Sequence, residues 1–388
     1  MKRRRLLGAA TLIAATNNRA AAQSTRSRPL ARVQVSFERI VRTVVGLRPY
    51  RPTGFVLRSE VYGDKVIVHN YGHGGGGVSL SWGTAQLATD LAAATGRDRY
   101  AVLGCGAVGL ATARLLQDRG FAVTIYAAEL PPQTTSNIAG AQWSPVSVFE
   151  PEKISPAFSE QFVLASQLSY RYFQNLVGDH YGVRWIENYY LGEQPDRSFI
   201  DYVRREGIVS LYPDIVSLQP GDHAFAARYV TRFMTMLIEP PVYLNAVLRD
   251  FLLRGGTVRV QRFADRKQIL ALEEATIVNC TGLGAKSLFV DDELIPIKGQ
   301  LSVLLPQPEI DYLTLAPDAL YMFPRRDGIL LGGTFERGVG SPEVNEPART
   351  RIVGAHAQIF AQMHERLPDC RAGLFQPKGA AHPESGRL

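Results

Sequence analysis

The chain has 388 residues, of which 46% are hydrophobic and 20% are charged, a composition typical of a globular protein long enough for two domains. Its formal net charge is +7, but five cationic residues fall within the first 22 residues, which contain no acid, so the rest carries only +2. A chain so nearly neutral gives no reason to expect a nucleic-acid partner. The three cysteines and seven histidines lack the spacing of a metal site, so no metal is expected.

Residues 1–22 have the features of an export signal. Residues 2–5 are basic, residues 6–15 form a short apolar run, and residues 20–22 offer small side chains for cleavage before Gln23. The apolar run is too short to span a bilayer, so we expect no membrane segment in the mature protein. The arginines fit the twin-arginine pattern, which we favour over an ordinary Sec signal, and the expected location is periplasmic or secreted.

The segment up to residue 95 combines several elements. Residues 33–45 have helical character and end at Gly46, and residues 54–58 and 65–69 predict two strands joined by a turn. A glycine-rich loop at residues 72–77 then leads into a helix that ends near residue 95.

A complete strand–helix–strand unit follows between residues 100 and 126. Gly104, Gly106 and Gly109 form G-x-G-x-x-G directly after an apolar strand, with helical periodicity behind them and a second strand at residues 121–126. Such glycines permit a tight turn and close approach of a pyrophosphate to the helix N-terminus. We therefore predict that these glycines bind a dinucleotide together with Ala107 and Val108.

The carboxylate that would bind the ribose is expected just after the second strand. Glu129 is the only nearby candidate, because Ala127 and Ala128 cannot serve. A solvated loop carboxylate is an equally good interpretation of Glu129.

The second half of the chain mixes helices and strands. The pattern predicts a helix at residues 158–177, short tyrosine-rich strands up to residue 250, a helix end and a strand at residues 251–261, and an amphipathic helix at residues 352–367. Further strands are expected at residues 275–279, 301–305, 319–323 and 328–332. Residues 368–388 are expected to be poorly ordered, and Cys105 and Cys280 to be buried structural thiols.

Two motifs flank residue 96 in an unusual order. The segment VIVHNYGHGGGGVSLSWGTA at residues 66–85 resembles the C-terminal flavin-contacting signature of the D-amino-acid oxidase family. YAVLGCGAVGL, at residues 100–110, resembles the fingerprint that opens the chain in that family. Because the closing motif comes first here, the resemblance implies a circularly permuted chain. Other similar segments are GLRP at residues 46–49, the flavin loop at 126–145, VNCTG at 278–282, KGQ at 298–300 and the strand pair at 321–335.

The resemblance implies an α/β fold with a Rossmann-type FAD-binding domain and a mixed-sheet substrate domain. It assigns residues 31–150 to the FAD-binding domain, as a permuted flavin segment at 31–95 and a Rossmann unit at 99–150. Residues 251–300 would return to that domain, and residues 151–250 and 301–367 would form the substrate domain.

The activity implied by the resemblance is FAD-dependent oxidative deamination of D-amino acids. A hydride passes from the α carbon to the flavin, the imino acid hydrolyses to a 2-oxo acid and ammonia, and oxygen becomes hydrogen peroxide. The expected partners are a small-molecule substrate and oxygen, and a homo-oligomer is compatible with this interpretation. Two alternatives remain: a glycine or D-aspartate oxidase of the same family, and a non-catalytic protein that binds flavin or amino acids.

The resemblance also implies the site residues. Arg48, in the GLRP segment, matches the family's substrate arginine, whose guanidinium holds a carboxylate through two parallel hydrogen bonds. Tyr321 matches the second carboxylate-contacting position, and His73 is expected to be structural rather than a base. The remaining flavin contacts are expected from Gly74, Gly75, Gly77, Val78, Ser79, Thr134, Thr135, Ser136, Gln142 and Gly282.

Several positions depart from the family pattern. Ala128 replaces a frequent acid, Gln142 a frequent leucine, and Gly76 a frequent aromatic residue. Pro317 stands where vertebrate members carry a second tyrosine, in a shorter loop, which predicts an open pocket with broad side-chain preference. Arg325 and Arg326 near this loop are interpreted as solvated strand-end charges rather than as ligands of an acidic side chain.

Overall fold

The structure is a computed structural model that describes residues 28–193 and 198–364. The predicted export signal, the predicted tail at residues 368–388 and Cys370 lie outside these ranges. Within them, no helix is both long enough and apolar enough to cross a membrane.

Fifteen strands and nine α-helices make up the regular structure of these residues. The strands are β1 Ile40–Tyr50, β2 Val56–Tyr62, β3 Lys65–Tyr71, β4 Arg99–Leu103, β5 Ala122–Ala127, β6 Val183–Gly192, β7 Val216–Leu218, β8 Tyr229–Ile238, β9 Thr257–Val260, β10 Thr276–Asn279, β11 Ile295–Leu304, β12 Tyr312–Ala316, β13 Leu320–Arg325, β14 Gly328–Gly332 and β15 Glu336–Arg337. The helices are α1 Gly77–Ala93, α2 Ala107–Asp118, α3 Thr135–Ile138, α4 Pro156–Asn175, α5 Ser198–Arg205, α6 Pro240–Leu253, α7 Arg266–Leu270, α8 Ala285–Phe289 and α9 Glu346–Ala361.

A six-stranded sheet has the order β2-β3-β10-β4-β5-β9, with all pairs parallel except β2–β3. Its central strands β4 and β10 are buried and mostly apolar, as expected of parallel strands covered on both faces. Val102 and Val278 point to the face covered by α1 and α2, whereas Ala101 and Ile277 point to a second apolar cluster with Ile269 of α7. The predicted strand–helix–strand unit is confirmed as β4, α2 and β5.

A nine-stranded mixed sheet has the order β1-β11-β14-β13-β12-β6-β8-β7, with β15 paired to β11. The strands expected at residues 301–305, 319–323 and 328–332 correspond to β11, β13 and β14. The α/β fold with two mixed sheets therefore agrees with the prediction.

Strand β1 corrects one prediction. The helix expected at residues 33–45 is wrong, because Ile40–Tyr50 forms a strand that runs antiparallel to β11 from Ile40↔Leu304 to Tyr50↔Ile295. The β-branched residues of its sequence, IVRTVVGLRPY, favour an extended backbone. Strand β1 also lies in the larger sheet, although residues 31–95 are assigned above to the FAD-binding domain.

The two ends of the described chain lie side by side on the larger sheet. The Arg32 guanidinium donates to the main-chain oxygen of Met363 at 2.6 Å. Gln34 and Gln307 exchange two hydrogen bonds, at 2.8 and 3.0 Å. At the smaller sheet, α1 and β4 are joined through the chain itself, by the short segment of residues 94–98.

Helices α1 and α4 approach each other closely at Gly83. A Cβ atom added there would overlap the main-chain oxygen of Ala165. Gly354, in α9, has no neighbouring atom within 4 Å of the same position.

Replacing Gly83 with alanine should destabilise the protein by about 3 kcal/mol, because two helix backbones would have to separate. The matched variant Gly354→Ala should stabilise it by about 0.5–1 kcal/mol, since alanine favours a helix where space is open. Thermal unfolding of both variants measures the difference. Equal stabilities would contradict the helix contact.

Candidate functional site

One cavity of about 990 Å³ lies where the two sheets meet. Its walls come from the carboxyl ends of β3, β4, β5 and β10, where ligands bind in parallel sheets, and from β1, β11 and β13 of the larger sheet. Every residue predicted above to bind cofactor or substrate lines this cavity: Arg48, Gly74, Gly75, Gly77, Val78, Ser79, Gly104, Gly106, Ala107, Val108, Gly109, Glu129, Thr134, Thr135, Ser136, Gln142, Gly282 and Tyr321.

The loop between β4 and α2 has no room for side chains at its glycines. Gly104 has φ of +106°, and a Cβ there would lie 2.6 Å from the main-chain oxygen of Cys280. A Cβ on Gly109 would overlap the oxygen of Gly104, and one on Gly106 would lie 2.9 Å from Ser136 Oγ. The loop therefore brings bare backbone to the cavity at the N-terminus of α2, a cradle suited to a pyrophosphate.

Ser136 completes this end of α2. Its hydroxyl oxygen accepts a hydrogen bond from the Ala107 N–H at 3.0 Å. Thr134 precedes α3 and donates its hydroxyl hydrogen to Asn137 Oδ1 at 2.8 Å, so it stabilises the loop that carries Ser136.

Asn70 was not identified from the sequence, although it belongs to the HNYGHGG segment. It is fully buried at the end of β3 and lines the cavity. Its Nδ2 donates to Thr112 Oγ1 at 3.5 Å, but its Oδ1 has no hydrogen-bond partner among the described residues. A buried acceptor without a partner is costly, so this atom fits a cavity that receives a ligand with a donor group.

Glu129 lies at the outer rim of the cavity. Its carboxylate is exposed and lies 3.5 Å from the guanidinium of Arg262, a cavity residue that follows β9 and that the sequence did not single out. Glu129 thus has the solvent exposure of a loop carboxylate and the position expected of a ribose ligand, and its ribose contact remains a prediction.

Gln142 and Ser79 use their polar groups within the protein. The Gln142 side-chain amide donates to Asn188 Oδ1 and to Thr235 Oγ1, the latter at 3.3 Å. Ser79 Oγ donates to the main-chain oxygen of Gln142 at 3.1 Å and accepts from the Ser144 N–H at 3.0 Å. These bonds hold the flavin loop against α1.

The glycine-rich loop ends at the N-terminus of α1. The Gly75 N–H donates to the Ser147 oxygen at 2.9 Å and the Gly76 N–H to the His73 oxygen at 3.0 Å. Helix α1 begins at Gly77 without a side-chain cap, so no side chain bonds its first N–H groups. These groups carry partial positive charge at the adjacent part of the cavity.

His73 lies behind this loop and has a structural environment. It is fully buried, stacks on Phe55 and has its Nε2 3.1 Å from Thr84 Oγ1. Burial lowers the pKa of His73 to about 3, so the imidazole is neutral at physiological pH and is a much weaker base than an ordinary histidine.

Arg48 and Tyr321 meet in the part of the cavity that is walled by the larger sheet. Arg48 Nη1 donates to the Thr334 main-chain oxygen at 3.3 Å, and the guanidinium lies 6.0 Å from the centre of the Phe335 ring. Burial raises the pKa of the Tyr321 phenol while the Arg48 guanidinium opposes the rise, so Tyr321 keeps its proton and can donate it in a hydrogen bond.

Two glycines in neighbouring strands make room for this pair. A Cβ on Gly299 of β11 would lie 2.6 Å from Arg48 Nη2, and one on Gly332 of β14 would overlap the Tyr321 ring. The sequence shows both glycines, in KGQ and LGG, but their partners become visible only when the strands are paired.

The loop between β12 and β13 is as short as expected. It consists of residues 317–319, since Ala316 pairs with Leu320, and all three residues line the cavity. Arg325 and Arg326 do not line it. Arg326 is exposed and pairs with Asp179, as expected of a strand-end charge, but Arg325 is buried and bonded to Asp327, which corrects its interpretation as solvated.

Neither the cysteines nor a metal site offers reactive groups in the described part of the chain. Burial raises the pKa values of Cys105 and Cys280 to about 12, so both are protonated thiols. Cys105 is buried as expected, whereas Cys280 is only half-buried at the cavity wall, which corrects its prediction as a buried thiol. Within residues 28–193 and 198–364, no group of three or more His, Cys, Asp or Glu could hold a metal ion.

Comparison with known proteins identifies the family. The sequence matches the family DAO, described as FAD dependent oxidoreductase, over residues 3–91 and 99–387. The chain belongs to this family. It is therefore an oxidoreductase with FAD as its cofactor, which fits the glycine cradle, the two helix N-termini and the unpartnered Asn70 oxygen of the cavity.

Among relatives, a D-amino-acid oxidase of Rubrobacter xylanophilus is 29% identical over 293 residues, covering 71% of this chain and 82% of that protein. A D-amino-acid oxidase of Streptomyces coelicolor is 30% identical over 294 residues, covering 74% of this chain and 86% of that protein. The fold is similar to that of glycine oxidase from Geobacillus kaustophilus, with a TM-score of 0.51, 17% identity, and coverage of 69% of this chain and 80% of that one.

Proposed function

We propose that this protein is a D-amino-acid oxidase, which converts D-amino acids, oxygen and water to 2-oxo acids, ammonia and hydrogen peroxide. The observation that carries the proposal is the Arg48–Tyr321 pair, which shares one cavity with the nucleotide-binding loop. The relatives from Rubrobacter and Streptomyces are both D-amino-acid oxidases.

Each wall of the cavity would have its own part in the reaction. FAD, when bound, supplies the acceptor for the hydride of the substrate α carbon. The N-terminus of α2 and the glycines around Gly104 would hold the pyrophosphate, and the N-terminus of α1 would stabilise negative charge near the flavin ring. Arg48 would hold the substrate carboxylate through two hydrogen bonds and Tyr321 would donate a third.

The charges of the cavity argue against an acidic side chain in the substrate. In the part of the chain that the structure describes, Arg48 and Arg262 are the arginines of the cavity wall, and Arg262 belongs to the outer rim beside Glu129. A D-aspartate oxidase needs a second cation for the side-chain carboxylate, and Arg325 and Arg326 do not reach the cavity. The structure therefore favours the D-amino-acid oxidase over the D-aspartate oxidase alternative.

The absorbance spectrum of the purified protein from Gln23 onward tests the function. Two flavin bands should bleach on anaerobic addition of D-alanine but not of L-alanine, and should return with air. Bands that neither D-amino acids nor glycine bleach would contradict the oxidase and support the non-catalytic alternative. A protein that cannot be reconstituted with FAD would contradict the assignment of the cavity.

Replacing Arg48 with lysine should lower kcat/KM for D-alanine by about 100-fold, because a lysine cannot form two parallel bonds to a carboxylate. Arg42→Lys, on the same strand, is the matched control, since the exposed Arg42 bonds Asp327 outside the cavity. Peroxide production measures the rates, and the FAD content of both variants should equal that of the wild type. Equal losses in the two variants would contradict the role of Arg48.

We also infer that the chain is a circular permutant of the usual family order. The motif order supports this, and so do the two separately matched segments, which are interrupted at residues 92–98, from the last turn of α1 to the start of β4. The hydrogen bond between Arg32 and Met363 places the two ends of the described residues close enough to be joined by a short linker.

A chain rebuilt from residue 99 to residue 364, then joined by a short glycine–serine linker to residues 30–95, tests this inference. It should fold and bind FAD with an affinity within about threefold of the natural chain, because the loop closure changes little. Fluorescence titration with FAD and thermal unfolding are the measurements. A rebuilt chain that remains unfolded would contradict the permutation.

We further propose export by the twin-arginine route, supported by the basic and apolar character of residues 2–15. A folded reporter carrying residues 1–22 should reach the periplasm, and replacement of Arg3 and Arg4 by lysine should retain it in the cytoplasm. Export that survives the replacement would favour the Sec route.

A further inference from the structure

The substrate end of the cavity has an unusual charge distribution. Among the described residues that line the whole cavity, the acids are Glu129 and Asp318. Glu129 lies at the outer rim beside Arg262, whereas Asp318 lies in the loop that leads directly into Tyr321. Asp318 is therefore the acid of the substrate end.

Asp318 is held at the tip of a tight hairpin. Asp318 and Ala319 have φ of +59° and +58°, and the hairpin closes through the pair Ala316↔Leu320. The carboxylate is exposed and has no ion-pair or hydrogen-bond partner within residues 28–193 and 198–364. A charge so placed is available to a ligand at the mouth of the cavity.

The hairpin tip lies at the same edge of the sheet as Arg48 and its neighbours. Tyr321 pairs with Gly332, so the chain just before β13 lies beside the chain just after β14, which contains Phe335. Arg48 contacts both Thr334 and Phe335 in that second segment. A substrate whose carboxylate is bound by Arg48 would therefore extend its side chain among these rim residues.

We propose that Asp318 is a specificity-determining residue that favours D-amino acids with a cationic side chain over neutral ones of the same length. The inference rests on the proposed function, and it names the substrate class as D-lysine-like amino acids. Apolar walls from Leu315, Phe323 and Leu301 contact the methylene chain, and Asp318 attracts the terminal ammonium group at the open end.

The expected size of the effect follows from the exposure of the carboxylate. A pair of opposite charges at an exposed site changes an equilibrium by about three- to fivefold, and added salt weakens the attraction. An acidic side chain would be repelled by Asp318, and among the described residues of the cavity wall Arg262 is the one other arginine, at the outer rim beside Glu129, where it does not offset the repulsion.

The test compares kcat/KM for D-lysine and D-norleucine, which match in length and differ in charge. The wild type should prefer D-lysine by about three- to fivefold, and Asp318→Asn should abolish the preference. Asparagine tolerates the same positive φ, so the hairpin should be retained. Asp64→Asn is the matched control, because Asp64 is an exposed hairpin acid that does not line the cavity.

A binding measurement provides a readout that is independent of turnover. Measured by thermal shift, the wild type should bind 6-aminohexanoate more tightly than hexanoate. Asp318→Asn should bind the two ligands with equal dissociation constants. Raising the salt concentration should reduce the difference in the wild type.

The possible outcomes separate the two proposals. If D-norleucine is oxidised but D-lysine is not preferred, or if the preference survives in Asp318→Asn, the role of Asp318 is overturned while the oxidase function stands. If no D-amino acid is oxidised, the function and the specificity fail together. A preference lost in Asp318→Asn and kept in Asp64→Asn supports the proposal.

Discussion

The site depends on strand β10, which pairs in parallel with β3 on one side and with β4 on the other. The register places Val68, Val278 and Val102 side by side, so β10 and β4 end at one level and β3 continues two residues beyond it, to Tyr71. The loops that follow them then meet at the same edge of the sheet. Because β3 carries the HNYGHGG segment and β4 carries the G-x-G-x-x-G loop, this pairing assembles the cofactor end of the cavity from distant parts of the chain.

The proposed substrate end depends on a similar pairing in the larger sheet. Strand β1 brings Arg48 against Gly299 of β11, and β13 brings Tyr321 against Gly332 of β14. Because Gly299 and Gly332 have no side chains, Arg48 and Tyr321 can occupy the space beside them. The arginine and the tyrosine therefore have defined positions before any substrate binds, which reduces the entropic cost of binding.

Electrostatics divides the cavity into regions of different character. Two helix N-termini provide partial positive charge at the cofactor end, where the buried His73 remains neutral. Arg48 supplies a full positive charge at the substrate end, and Asp318 supplies a negative charge at its rim. A ligand with a carboxylate at one end and an ammonium group at the other matches this distribution.

The amino-acid sequence by itself determined the features that local patterns encode. The glycine spacing around Gly104, the apolar strands on either side and the GLRP segment predicted the nucleotide loop and Arg48, because turns and buried strands leave short-range patterns. Tertiary structure decided the rest. Residues 33–45 suggested a helix, but pairing with β11 makes Ile40–Tyr50 a strand. The unpartnered oxygen of Asn70, the roles of Gly299 and Gly332 and the inward bonds of Gln142 depend on residues far away in the chain, and no local pattern records such partners.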